Sequence, residues 1–281
     1  MPATVQNIAR HLSAGHVIPY LGPGMLALCP DLKVPATPLA LAELMTAKVS
    51  VPHKIRKRLT QAAQFIENFK HRKSVVHLLN EAFAAATTPS PLHRALAGSG
   101  AGLVVDCWYD DTFAAALAQQ RPQGDWVQVQ GLSQSEHFGD WTGAYASDGS
   151  LLPDMPATAE RMLYKPLGSH SPAGNYLVSD SDFVEVLTEI DIQTPIPVAV
   201  QGFRAGRNVL FLGCRFDDQL TRCFARQIMK RSSDRHWAVM PEEPTRMEAR
   251  FLQEQNITRI AMPLAQFSTA LIAALQVDVT A

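Results

Sequence analysis

An α/β fold built on a doubly wound parallel sheet is what this chain predicts, and three patterns carry the expectation. From Asn208 onward, apolar strands and helical stretches alternate without interruption, which in one sheet gives parallel strands joined by crossovers. Near the start, the apolar run Val17-Ile18-Pro19-Tyr20-Leu21 opens into Gly22-Pro23-Gly24-Met25, the composition of a first strand ending in a tight turn with exposed backbone. A second strand-to-helix junction follows the glycine-rich Gly98-Ser99-Gly100-Ala101-Gly102. With 281 residues and no linker, repeat or low-complexity tract, the chain reads as one domain, 1–281.

Taken in order, Thr4 to Ala14 places Val5, Ile8, Ala9 and Leu12 on one face of a short helix with Thr4 as its N-cap. After the glycine turn, Pro30 to Pro38 is irregular. Leu39 to Lys48, Lys54 to Phe69 and Ser74 to Ala86 then give three helical patterns with no strand between them, which predicts an inserted helical subdomain over about 38–98. Leu103 to Trp108 is an apolar strand and Asp111 to Gln119 its following helix. Trp126-Val127-Gln128-Val129-Gln130 alternates as a strand, Ser133 to Met155 is polar and reads as a loop, and Arg161 to Leu167 reads as a short strand. Asp180 to Glu189 is a helix capped by Ser179 or Asp180, and Pro197 to Phe203 a short helical piece. The regular end of the chain gives strands at Val209 to Gly213, Trp237 to Met240 and Ile257 to Met262. Helices fall at Asp217 to Lys230, Glu242 to Gln255 and Leu264 to Leu275.

Composition narrows the partners. A net charge of -1 offers no field for nucleic acid or an anionic membrane, and no apolar run reaches the ~20 residues that cross a bilayer. The basic runs Lys54 to Arg58 and Lys70 to Lys73 lack interleaved aromatics and read as solvated helix faces. The first thirty residues lack a signal segment, so a cytoplasmic protein is expected. Cys29, Cys107, Cys214 and Cys223 form no Cys-X-X-Cys pair and the nine histidines no metal-binding pair, so no metal is expected.

Four strand ends hold the residues capable of chemistry. They are Gly22-Pro23-Gly24, Asp106-Cys107-Trp108-Tyr109-Asp110-Asp111, Lys165-Pro166-Leu167-Gly168-Ser169-His170 and Gly213-Cys214-Arg215-Phe216-Asp217-Asp218. Carboxyl ends of parallel strands share one crevice, so these stations can converge on one ligand, and glycine lets a phosphate approach backbone N–H groups.

In their order and spacing the stations resemble those of the SIR2-like family, bacterial NAD-hydrolysing relatives of the sirtuins. That family reads Gly-Ala-Gly-X-Ser, then Thr-X-Asn-Tyr-Asp, then His-Gly, then Gly-(Tyr/Thr)-Ser followed by Asp. The counterparts here are Gly22-Pro23-Gly24-Met25-Leu26, Cys107-Trp108-Tyr109-Asp110, Leu167-Gly168-Ser169, and Gly213-Cys214-Arg215 with Asp217; Asn175 to Leu187 also looks like the family's segment after the His-Gly station. The resemblance implies a Rossmann-like fold and NAD or a related adenine nucleotide as ligand, held by Gly22, Pro23, Gly24, Met25, Trp108, Tyr109, Gly168, Gly213, Arg215 and Asp217. It also implies that Trp108 stands for the family's Asn, Leu167 for its His, and Leu26 and Arg215 for two serines, which leaves a remodelled, catalytically impaired cleft. Losing a general base typically costs 10²–10⁴-fold.

Two catalytic candidates remain. His170 lies three residues beyond Leu167, and a different loop path could bring its imidazole into use as a base; Asp110 opens a helix and is either a cap or an acid. Trp108 either stacks on a ring or fills core, and Arg215 either grips a phosphate or pairs with Asp217 or Asp218. Three functions stay open. One is a binding or regulatory module, with a protein partner or a homo-oligomer. A second is an active NAD glycohydrolase using His170 or His137. The third is a structural partner domain. A deacylase is disfavoured, because the zinc-binding cysteines of sirtuin deacylases are missing.

Overall fold

The computed structural model describes residues 3–153, 160–189 and 196–279. Helix α1 (Ala3–Ser13) leads into β1 (Val17–Leu21), and a short 3₁₀ helix (Pro23–Leu28) follows the glycine turn. Four helices come next: α2 (Pro38–Lys48), α3 (Leu59–Lys70), α4 (Arg72–Phe83) and α5 (Pro91–Gly98). Thr37 caps α2 and Ser90 caps α5, each with proline in the first turn, where its missing N–H costs nothing.

Strand β2 (Leu103–Asp106) and α6 (Thr112–Gln120) precede β3 (Val127–Gly131), β4 (Thr142–Ala146) and β5 (Leu151–Leu152). Strand β6 (Met162–Lys165) is followed by the two-residue strands β7 (Gly168–Ser169) and β8 (Asn175–Tyr176), then α7 (Asp180–Glu189) and α8 (Val198–Arg204). The chain ends in β9 (Asn208–Leu212), α9 (Gln219–Met229), β10 (His236–Val239), α10 (Arg246–Glu254), β11 (Ile257–Ile260) and α11 (Leu264–Val279).

The main sheet runs β11-β10-β9-β1-β2-β6-β3-β4-β5, and every pair from β11 to β3 is parallel. Strands β4 and β5 close one edge as an antiparallel meander. Side chains of β1 alternate between two cores, as a period of two requires. Val17 and Leu21 pack with α1, α5, α6 and α11 on one face. Ile18 and Tyr20 pack with α8, α9 and α10 on the other. Pro19 has no N–H to give, and it lies just before the β1–β2 ladder begins at Tyr20. From β1 the chain moves to β2 on one side, whereas β9, β10 and β11 build outward on the other. This is a doubly wound sheet, with its crevice at the carboxyl ends of β1 and β9.

Several sequence expectations change. The segment Ser133 to Met155, expected to be a loop, contains β4 and β5; its residues 154 and 155 lie outside the described residues. The helix expected from Lys54 begins only at Leu59, because Pro52 to Arg58 is wound into two turns by the bonds from Ile55 N–H to Pro52 and from Arg58 N–H to Ile55. A fourth helix in that region, α5, was hidden behind Pro91 and Gly98. Among the described residues, no helix is long and apolar enough to cross a membrane.

Candidate functional site: the carboxyl edge of the sheet

At the centre of the edge, the turns after β1 and β9 pack backbone against backbone. A Cβ on Gly22 would lie 2.5 Å from the Gly213 carbonyl oxygen and one on Gly24 2.8 Å from it, while Gly213 has φ +65° and meets the Met25 nitrogen. These positions require glycine because of each other. Their N–H groups are also engaged: Gly22 donates to Leu212 (2.9 Å), Gly24 to Gly213 (3.0 Å) and Met25 to Gly22 (3.1 Å). Pro23 has no N–H, and the Met25 side chain is buried against α11's core. The phosphate cradle expected of Gly22 to Met25 therefore has its donors already committed within the protein.

At the end of β2, Trp108 is 3% exposed and donates from Nε1 to the Pro35 carbonyl (2.7 Å), with its ring edge-on to Phe83. An indole bonded and enclosed in this way fills core; it offers no open face for stacking. Tyr109 is equally buried and donates its hydroxyl to the Leu177 carbonyl (2.8 Å). Beneath them, Lys165 Nζ donates to Asp106 Oδ2 (2.6 Å) and to the Asp110 carbonyl (2.8 Å), a pair sealed from solvent. Burial pushes the Asp106 carboxyl up to about 6 against the pull of the lysine. For Lys165, burial works to lower the ammonium's pKa, but Asp106 and Asp110 outweigh it and the net direction is upward. Both trends leave the proton on the lysine at neutral pH, and with the 2.6 Å contact they make this an ion pair.

Asp110 accepts from the Thr112 N–H (2.9 Å), which is a turn-capping role at the start of α6. It is Asp111 that meets the histidine. His170 Nδ1 lies 3.0 Å from Asp111 Oδ2, while Asp111 Oδ1 accepts from Ser169 Oγ (3.1 Å) and the Ser171 N–H (3.0 Å). The His170 N–H itself donates to the Tyr109 carbonyl, fixing the loop against β2's end. Gly168, at φ +82°, lies so close to the Asn175 carbonyl that no side chain fits. His137 sits on the exposed turn after Ser133, well apart in sequence and held by its own N–H to the Ser133 carbonyl.

At the β9 station, Arg215 bonds neither Asp217 nor Asp218 but two glutamates from the α10 region. Its Nε and Nη2 donate to Glu248 (3.0 and 3.2 Å), and its Nη1 pairs with Glu242. Asp217 is exposed and accepts the neighbouring Asp218 N–H (3.1 Å), and Asp218 caps α9. Sequence reading missed Asp111 and Glu248. Asp111 was legible as the second of two adjacent carboxylates at a strand end, whereas Glu248 was legible only as the last member of the capping box Thr245-Arg246-Met247-Glu248.

One packing cluster joins the ends of β1, β2 and β6. Leu26, Trp108 and Tyr109 are buried together with Leu41 and Met45 of α2, Ala63 and Ile66 of α3, and Val75, Leu79 and Phe83 of α4, and Leu167 packs against the same cluster. Helices α2 to α4 thus lie on the carboxyl edge of β1, β2 and β6 through apolar side chains.

An open, parallel-dominated sheet wound outward in both directions from β1, with glycine, aspartate and glycine-histidine stations along one edge, defines a Rossmann-like domain. The profile of the SIR2-like domain matches residues 102–260, and the chain belongs to that family. No curated protein matches. Among solved structures, one described as "Structural Basis for the Mechanism and Regulation of Sir2 Enzymes" is similar over 100% of both chains, with 11% identity and a TM-score of 0.49.

Proposed function

We propose that this chain is a SIR2-like binding or regulatory module whose ligand is NAD or an ADP-ribose-type nucleotide and whose cleft is catalytically impaired. The carrying observation is the shared packing of Leu26, Trp108 and Leu167. These are the apolar residues at three of the four positions where the resemblance expects polar ones, and all three pack on one set of helices. Core packing accounts for them together, and it leaves no polar group there to activate a sugar hydroxyl or water. Family membership supports the ligand class, since the family is one of NAD-binding domains. The geometry adds a condition: the N–H groups of Gly22, Gly24 and Met25 are bonded within the protein, so a phosphate seated there requires the β1 and β9 turns to part. Calorimetric titration with NAD and ADP-ribose, together with chromatographic assay of nicotinamide, tests both halves. Binding without nicotinamide release is expected; clear turnover by the wild-type chain sinks the impaired cleft, and absence of any binding at millimolar nucleotide sinks the ligand.

The His170–Asp111 contact favours a second reading, an NAD glycohydrolase with a relocated base. With Nδ1–H donating to Asp111, the Nε2 lone pair of neutral His170 is free to accept a proton, the arrangement a general base requires. On this reading His170→Ala abolishes nicotinamide release and Asp111→Asn shifts the imidazole tautomer seen by ¹⁵N spectroscopy. Unchanged release in His170→Ala removes the histidine from the chemistry.

A further inference from the structure

On the outer side of the β9–β10 half of the sheet, α9 and α10 each turn one stripe toward a shared cleft of about 290 Å³. The α9 stripe is Gln219, Arg222, Cys223 and Arg226, and the α10 stripe Met247, Arg250, Phe251 and Glu254; in both, the spacing i, i+3, i+4, i+7 defines one helix face. The inner faces of both helices are spent on the sheet, through Ala225, Ile228 and Met229 of α9 and Leu252 of α10. The cleft is thus made by the outer flanks of two anchored helices.

Its charge is out of proportion to the chain. Three guanidiniums line it against one carboxylate, in a protein whose net charge is -1. Glu254 is already bonded to Arg250 Nε (2.6 Å), and the Arg222 guanidinium is pinned by the Phe216 carbonyl. The side chain of Arg226, exposed on the α9 wall, forms no ion pair or hydrogen bond among the described residues. Arginines arranged in this way match the oxygens of a phosphate in pairs, and their planes stack on flat rings. Met247, 49% exposed, supplies an apolar wall beside them. The volume sits at the low end of the roughly 300–1,000 Å³ range of ligand clefts, which suits one ring and one phosphate and is too small for a dinucleotide.

We infer that the α9–α10 cleft is a binding site for a mononucleotide-sized phosphate monoester, its phosphate on Arg222 and Arg226 and its ring against Met247 and the Arg250 plane. None of its lining residues belongs to the carboxyl-edge stations, and its occupancy does not depend on the function proposed for that crevice.

Cys223 reports on it directly. The thiol lines the cleft, whereas Cys107, Cys214 and Cys29 pack against the apolar cores, so Cys223 is the thiol best placed to report an occupant. Iodoacetamide labelling read peptide by peptide in a mass spectrometer, with AMP, adenosine or inorganic phosphate present, tests the inference on the full chain. AMP should slow Cys223 labelling about tenfold or more. Arg226→Glu, at an exposed residue and checked for an unchanged circular dichroism spectrum, should weaken that protection about 10- to 100-fold, the size of a lost charge-assisted bond. Arg250→Gln gives a second, independent reduction. The inference is overturned by any of three results: no protection by millimolar AMP, equal protection in wild type and Arg226→Glu, or adenosine protecting as well as AMP. Inorganic phosphate protecting as well as AMP overturns the ring contact.

Discussion

Replacing Glu248 with Gln should destabilise the protein by about 2 kcal/mol at neutral pH and by almost nothing in strong acid. The Glu248 side chain is fully buried and its carboxylate accepts four bonds: two from Arg215 (3.0 and 3.2 Å), one from the Phe216 N–H (3.1 Å) and one from the Thr245 N–H (2.9 Å). Burial opposes the charge, but the donors, Arg215 first, prevail and bring the carboxyl from its ordinary 4.5 down to about 2. At ~1.4 kcal/mol per pH unit this caps the contribution near ~3 kcal/mol. The Arg215 side chain is 43% exposed, and screening brings the figure to about 2 kcal/mol. Because the folded pKa lies below the unfolded one, the stabilisation is complete above about 4.5 and fades as the pH falls towards about 2. Urea denaturation of wild type and Glu248→Gln across a series from pH 7 to 2.5 reads the gap directly. A gap independent of pH, or one under about 0.5 kcal/mol at pH 7, a size typical of incidental surface changes, refutes the reasoning.

Three further outcomes can be measured in the same way. Trp108→Ala should cost about 3–5 kcal/mol in thermal or urea unfolding, as large core truncations do, and a cost under about 1 kcal/mol would show that the indole is not holding α2 to α4. Lys165→Met should cost about 3–5 kcal/mol by stranding Asp106, whereas Lys165→Met with Asp106→Leu should recover much of that loss; a double variant as damaged as the sum of its singles contradicts the buried pair. Gly213→Ala, at φ +65° against the Met25 nitrogen, should lose more than Gly206→Ala, at φ +68° with open space around it, by about 1–3 kcal/mol. Equal losses would mean that the two turns do not depend on their close approach.

The alternation from Asn208 to the end was legible because each buried strand and amphipathic helix carries its signal within its own residues. So was the first strand with its glycine turn. Strand β4 escaped because Thr142, Gly143, Ala144 and Ala146 contribute little apolar contrast around Tyr145, and its outer neighbour β5 is only two residues long. Helix α5 escaped because Pro91 and Gly98 read as breakers, although proline starts a helix when Ser90 caps it. The stations of the carboxyl edge could be placed in order from strand ends alone. Their partners could not, because Arg215 finds Glu248 and Trp108 finds Pro35 across tertiary distances that no local pattern encodes.

The shared packing of Leu26, Trp108 and Leu167 on α2 to α4 also makes the edge resistant to stepwise change. A single substitution such as Trp108→Asn would open a void beside Phe83 and strand an amide among apolar side chains, and the same holds in kind for a polar residue at Leu26. Each step toward a polar edge is therefore opposed by the residues not yet changed. A polar edge would take several coordinated substitutions, with the helices refitted at the same time, so the present composition of this edge resists change made one residue at a time.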